Sequence, residues 1–234
     1  MIVKKWLAAL ALVATFGTAL AEELPESWDG LVQVKPKRAD AAFLLPGADF
    51  RPYTKVMLDP AQAAFQKDWL RSQNEDRRDL SRRIQPEDAE KILEAARTNF
   101  DEVFAEEFPK QGYPIATAPG PDVLRISTAV VNLYINAPDV NMMSAGRTTT
   151  YTTEAGEATL VLEARDSRTG LLMGRILDRR ETRSTVGMQM STSVSNKSDF
   201  RALFRQWAGI AVKGIDELKA HSPVPDNLTP NQKL

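Results

Sequence analysis

The 234-residue sequence contains no cysteine and a single histidine, His221. The absence of cysteine excludes disulfide frameworks, thiolate zinc sites, iron–sulfur clusters and cysteine nucleophiles. His221 follows a predicted helix, where a cation merely suits the helix dipole, so we interpret it as structural rather than as a catalytic base. The 30 basic residues face 31 acidic ones, for a formal net charge of -1. Nucleic-acid binding requires a concentrated basic surface, and this nearly equal number of acidic and basic residues does not indicate one. No nucleic-acid partner is therefore expected.

The sequence also lacks an apolar run long enough to span a bilayer. Its longest uncharged run covers residues 6–21, 16 residues against the ~20 that a membrane helix needs. Lys4 and Lys5 precede this run, and Ala19-Leu20-Ala21 ends it with the small-x-small pattern of a signal peptidase site. We therefore predict a signal peptide over residues 1–21 and cleavage between Ala21 and Glu22. The mature protein is then periplasmic or otherwise exported, does not span the membrane, and has no lipid anchor at a cysteine.

Two amphipathic helices are the clearest elements of the mature chain. The first begins at Pro86 and carries an apolar stripe to residue 108. The second is capped by Ser198 and carries a stripe to residue 218 in which Trp207 is central, so we expect Trp207 to pack in the core.

Strand patterns fill most of the interval between and before these helices. Residues 123–135 are rich in Val, Ile and Thr and predict a long central strand. Apolar and polar residues alternate over 158–165, which predicts a strand with one solvent-exposed face. The turn 166–170 joins it to a second predicted strand over 171–181. Shorter strands are predicted at 53–58 and 113–117, a solvated loop is predicted at 71–83, and residues 61–70 fit either strand or helix.

The order of these elements predicts one α+β domain, with a largely antiparallel sheet and two main helices packed on one face. The domain boundaries are placed at residues 40 and 220. Residues 22–39 are interpreted as an extended lead-in, and residues 221–234 as a disordered tail.

Several polar or sulfur-bearing groups are candidate sites. Met142-Met143 and Met188/Met190 could hold copper(I) through thioethers, although methionines in loops more often cover apolar surface. The carboxylate pairs Glu163/Asp166 and Asp178/Glu181 are interpreted as surface strand charge, because arginines intervene. The alternating serines lack a glycine-flanked elbow, so a solvated loop or edge strand is expected there: Ser191, Ser193 and Ser195. We therefore assign no catalytic, cofactor-binding or metal-binding residue.

Five segments resemble one known family, and together they span most of the mature chain: residues 43–45, 53–60, 118–126, 156–170 and 199–218. They are similar to the bacterial envelope family catalogued as domain of unknown function 3313. The resemblance implies an envelope location and no catalytic residues. Many members look like lipoproteins with an acylated cysteine, and this cysteine-free chain departs from them.

The leading hypothesis is a non-enzymatic binding or interaction module whose partner is another envelope protein. Its positive support is a compact exported domain with long Ser/Thr/Met loops, since loops on a rigid scaffold concentrate binding residues. The alternatives are a carrier of a small ligand or copper(I) through the Met-rich loops and, less favoured, a hydrolase. No resident cofactor is predicted.

Overall fold

The computed structural model describes residues 24–75, 83–135, 150–152, 156–182, 189–191 and 193–234. The predicted signal peptide at 1–21 lies outside these residues. The described strands are β1 (Ser27–Trp28), β2 (Leu31–Val34), β3 (Ala41–Leu44), β4 (Lys55–Leu58), β5 (Gln62–Phe65), β6 (Val123–Ile135), β7 (Thr150–Thr152), β8 (Gly156–Asp166), β9 (Leu172–Glu181) and β10 (Gln189–Ser191). The described helices are α1 (Trp69–Glu75), α2 (Pro86–Lys110) and α3 (Ser193–Ala220).

The main sheet is antiparallel except at one end. Its strand order is β1-β2-β3-β9-β8-β6-β4, and β5 also pairs with β6. Strands β4 and β5 run parallel to β6, and the other pairs are antiparallel. The predicted strand at 123–135 is confirmed with the same bounds, and its neighbours on both sides explain its apolar composition.

The two long helices pack on the same face of this sheet, as predicted. Glu87 and Asp88 lie in the first turn of α2 behind Pro86, where acidic groups favour the helix dipole. The rings of Phe100 in α2 and Phe204 in α3 meet edge to face at 5.2 Å. Both join the core cluster that contains the alternate residues of β8, such as Leu160. The α+β prediction is therefore confirmed.

The opposite face of the sheet is not the solvent-exposed surface that the alternation of apolar and polar residues predicts. Val161 is buried in a second apolar cluster with Phe43 and Leu177. Glu163 on the same face is also buried. Trp28 packs edge to face on Phe43 with ring centroids 5.7 Å apart. Sequence alternation separates the two faces correctly, but it cannot show that the polar residues on one face are paired and covered.

The N-terminal lead-in belongs to the sheet, which corrects the predicted domain boundary. Strand β2 pairs with β3 through Val32 and Leu44, and Leu31 is fully buried. This segment is short and interrupted by turns, so its order depends on pairing with β3 rather than on local preference.

Residues 221–234 are packed, so the predicted disordered tail is wrong. Val224 is 1% exposed and Leu228 is buried. The Gly47 N–H donates to the Val224 carbonyl at 3.0 Å, and the Val224 N–H donates to the Ala48 carbonyl at 2.8 Å. The prolines prevent a helix here, but two apolar residues suffice to attach the segment.

Other boundaries also differ from the sequence-based expectation. Residues 61–70 contain both alternatives, strand β5 followed by the start of α1 at Trp69. Helix α1 continues to Glu75 where a loop is expected, and α3 begins at Ser193 rather than Ser198. The predicted edge strand at 113–117 contributes one parallel bridge, between Ile115 and Val56. Among the described helices, none is long and apolar enough to cross a membrane.

Candidate ligand-binding cleft

An apolar cleft lies between the C-terminal half of α3 and the sheet face beneath it. Its cavity volume is about 130 Å³. Helix α3 and the sheet supply most of its apolar walls: Ile210, Ala211, Ile215 and Leu218 from α3, Ala42 and Leu44 from β3, Leu162 and Ala164 from β8, Ile176 from β9 and Ile126 from β6. The C-terminal residue Leu234 also lines it.

Small residues at the contact between helix and sheet create this space. Gly214 of α3 lines the cleft, and a Cβ atom placed on it would meet no heavy atom within 4 Å. On the sheet side, a Cβ on Gly174 would lie 3.2 Å from Leu44 Cδ2. The helix wall therefore has room for a larger side chain at 214, whereas the sheet wall is already tight at 174.

The deep end of the cleft is held by a buried network. Phe50 and Ile126 at this end are at most 1% exposed. The Phe50 N–H donates to Ser222 Oγ at 2.9 Å, which attaches the floor to the end of α3. The Lys219 ammonium donates to the Tyr53 carbonyl at 2.9 Å. These contacts fix α3 relative to the sheet, so the cleft is a formed feature of the fold.

A buried tyrosine continues this network beneath the cleft. The Tyr53 hydroxyl donates to Asp166 Oδ2 at 2.8 Å. Burial, reinforced by this carboxylate, raises the pKa of Tyr53. Burial alone would raise the pKa of Asp166 as well, but hydrogen bonds from Thr169, Tyr53 and Arg168 outweigh it and lower that pKa. Asp166 thus stays ionised and holds the β8–β9 turn.

The cleft mouth consists of Lys35, Lys37, Arg38, Glu217 and His221. Arg38 forms an ion pair with Glu217, and its carbonyl accepts a hydrogen bond from Arg180 at 3.2 Å. Neither Lys35 nor Lys37 forms an ion pair with any residue that the structure describes. The mouth therefore carries two lysine ammonium groups that have no ion-pair partner among the described residues.

The structure does not bring the candidate carboxylate pairs together as catalytic pairs. Glu163 accepts hydrogen bonds from Arg175 Nη2 at 2.6 Å and from Arg165 Nη2 at 2.7 Å. Asp178 lies on the helix-facing side and accepts a hydrogen bond from Trp207 Nε1 at 2.8 Å. Both carboxylates are buried, so the prediction of surface charge is wrong for them, and both have structural partners.

Burial of Trp207 confirms the prediction that this side chain packs in the core.

Three of the four candidate methionines lie outside the described residues, whereas the three candidate serines lie within them. Met142, Met143 and Met188 lie outside the described residues. Met190 and Ser191 lie on β10, while Ser193 and Ser195 lie in α3 rather than in a loop or edge strand. Among the described residues, no group of three or more His, Asp or Glu side chains is placed to hold a metal ion.

His221 has the structural position expected from sequence, immediately after α3. Its Nδ1 lies 2.8 Å from the Glu217 carbonyl. The sequence does not reveal its neighbours at the mouth, because residues 22–39 are predicted to be an extended lead-in outside the domain. The cluster Lys35-Pro36-Lys37-Arg38, basic in a chain of balanced charge, was the available signal.

The chain matches the family model described as "Protein of unknown function (DUF3313)" over residues 21–210. The chain belongs to family DUF3313. The resemblance inferred from the five sequence segments is therefore confirmed. No curated protein shows significant similarity to this DUF3313 chain.

The solved structures that match this DUF3313 protein share little sequence with it. A PelC dodecamer from Paraburkholderia phytofirmans is 12% identical, with a TM-score of 0.36 and coverage of 72% of this chain and 96% of that one. A Xanthomonas campestris protein of family DUF330 is 10% identical, with a TM-score of 0.34 and coverage of 79% and 93%. A putative neuraminyllactose-binding hemagglutinin homolog from Helicobacter pylori is 11% identical, with a TM-score of 0.33 and coverage of 85% and 100%.

Proposed function

We propose that this DUF3313 protein is a non-enzymatic binding protein of the cell envelope, and that its ligand occupies the cleft between α3 and the sheet. The observation that carries the proposal is the cleft itself. The cleft is lined mainly by apolar side chains, and charged side chains surround its mouth. Concave sites with mainly apolar walls and a few polar groups at the edge are where proteins usually bind small ligands.

The assignment as non-enzymatic is supported by how the buried carboxylates are used. Glu163 pairs with Arg175, Asp178 pairs with Trp207 and Arg180, and Asp166 holds the turn after β8. A general acid or base must reach the substrate, and these groups are committed to neighbouring protein atoms.

Gly214 offers a direct test, because a leucine there would enter the cleft without removing any contact. The uncharged dye N-phenyl-1-naphthylamine, whose fluorescence rises in apolar surroundings, reports occupancy independently of charge. We expect wild type to bind the dye and Gly214→Leu to bind it at least ~10-fold more weakly, the loss typical of one blocked apolar contact of about 1.4 kcal/mol.

Gly209→Leu is the matched control. Gly209 is also in α3 with no heavy atom within 4 Å of a Cβ, but it does not line the cleft. Its variant should bind the dye like wild type. Equal dye binding by the 214 and 209 variants would contradict the proposal.

The envelope location rests on the predicted signal peptide, and its test is independent of the cleft. Intact-mass measurement of the periplasmic fraction should find a chain beginning at Glu22. A full-length chain, or a mature chain confined to membranes, would contradict this part of the proposal. Binding to another envelope protein and binding of copper(I) stay predictions. The copper(I) hypothesis can be tested by assaying bound metal in protein purified under reducing conditions.

A further inference from the structure

We propose that the ligand of the cleft is a fatty acid, with its acyl chain among the apolar walls and its carboxylate at Lys35 and Lys37. This inference rests on the proposed function and adds the chemical class of the ligand. It follows from the different chemistry of the two ends of the cleft.

The buried part of the cleft presents no polar side chain to a ligand. Its walls are aliphatic side chains and small residues, and the lining residues Phe50 and Ile126 are at most 1% exposed. Arg175 contributes to the lining, but its guanidinium points to the opposite face, where it lies 4.0 Å from the centre of the Trp28 ring. A buried polar ligand group would remain unpaired here, which is costly, so the inner part favours hydrocarbon.

The mouth of the cleft is polar, and its lysine side chains give it positive charge. Arg38 and Glu217 neutralise each other, and the two lysines Lys35 and Lys37 outnumber the one remaining anion of the lining, the terminal carboxylate of Leu234. The backbone of this segment is fixed, since the Lys35 N–H donates to the Gln232 carbonyl at 3.0 Å. Two exposed ammonium groups on a fixed loop attract an anion, and salt screens that attraction.

A ligand that satisfies both ends has one apolar chain and one anionic head. A cationic amphiphile would bring like charges together at the mouth. A neutral one would leave the lysines without a partner. The chemistry of the cleft therefore favours a fatty acid over cationic or neutral amphiphiles of the same chain length.

Isothermal titration of the mature protein at low salt tests this selection. The titrants are laurate and dodecyltrimethylammonium, which carry the same chain length and opposite charge, both kept below micelle formation. We expect laurate to bind at least ~10-fold more tightly, because each exposed charge contact contributes roughly a threefold change in affinity. Affinity should also rise about fourfold for each further methylene that the cleft buries.

Variants assign this preference to the mouth. Lys35→Gln with Lys37→Gln should weaken laurate binding by about tenfold and leave binding of N-phenyl-1-naphthylamine unchanged. The control pair Lys91→Gln with Lys213→Gln removes the same charge from α2 and α3 outside the cleft, and should leave laurate binding at the wild-type level.

The outcomes separate the two proposals. If the neutral dye binds in a manner blocked by Gly214→Leu but laurate shows no preference over the cation, the fatty-acid inference is overturned and the binding cleft stands. If Gly214→Leu does not reduce dye binding, the cleft proposal itself fails. If a second copy of the chain closes the cleft, laurate affinity will fall as protein concentration rises, and this would also overturn the inference.

Discussion

The hydrogen bond between Trp207 and Asp178 is expected to be one of the strongest single contributions to stability in this fold. Asp178 is fully buried in the sheet, and its carboxylate accepts hydrogen bonds from Trp207 Nε1 at 2.8 Å and Arg180 Nε at 2.7 Å. A buried charge requires such partners, and removing one costs about 1.5–3 kcal/mol. Trp207→Phe keeps an aromatic ring but loses the donor, so we expect it to cost ~2–4 kcal/mol once the smaller ring volume is included.

Trp69 provides a matched control within the same molecule. It is also buried, at 2% exposed, but its Nε1 donates at 3.2 Å to the neutral carbonyl of Ile135. A neutral hydrogen bond contributes about 0.5–1.5 kcal/mol, so Trp69→Phe should cost ~1–2 kcal/mol less than Trp207→Phe.

Urea denaturation of both variants measures the difference in free energy of unfolding. Trp207→Ala should go further and leave a marginal or unfolded protein, because truncating a buried tryptophan costs about 3–5 kcal/mol. If Trp69→Phe proved as costly as Trp207→Phe, the charged hydrogen bond would not be the dominant interaction and the reasoning would be refuted.

Three further changes probe other parts of the fold. Arg175→Met leaves Glu163 buried without its main partner and should cost ~3–5 kcal/mol in urea melts; a neutral result would refute the buried pair. Asp166→Asn should destabilise by about 1–2 kcal/mol at pH 7. Because folding lowers the pKa of Asp166, that contribution is fully present above the unfolded value near 4 and is lost as pH falls through the lower folded pKa. Thermal melts should therefore show a larger cost at pH 7 than at pH 3. Val224→Ala should cost ~1–2 kcal/mol, whereas a disordered tail would show no change.

Elements with strong periodicity were predictable from sequence. The stripe that includes Phe204 and Trp207 locates α3, and the apolar run at 123–135 locates β6, because each pattern reports which side of one element is buried. The packed tail was missed for the opposite reason. Val224 and Leu228 are isolated among prolines and polar residues, and their order comes from contacts with distant parts of the chain.

The buried ion pairs were missed because the partners are distant along the sequence. Glu163 and Arg175 meet across neighbouring strands, while Trp207 reaches Asp178 from α3. The cleft could not be predicted either. It arises because small residues from separate elements, Gly214 on α3 and Gly174 on β9, face the same space, and a periodic pattern marks burial without showing where packing leaves a gap.

The central claim is that the cleft between α3 and the sheet binds the ligand, and isotope-filtered nuclear Overhauser measurements on the mature protein with carbon-13-labelled laurate test it most directly. The account predicts contacts from the acyl chain to methyl groups of Ile176, Ile215 and Leu218, which line the cleft. Contacts to Val161 and Leu177 on the opposite face of the sheet, with none to the cleft methyl groups, would contradict it.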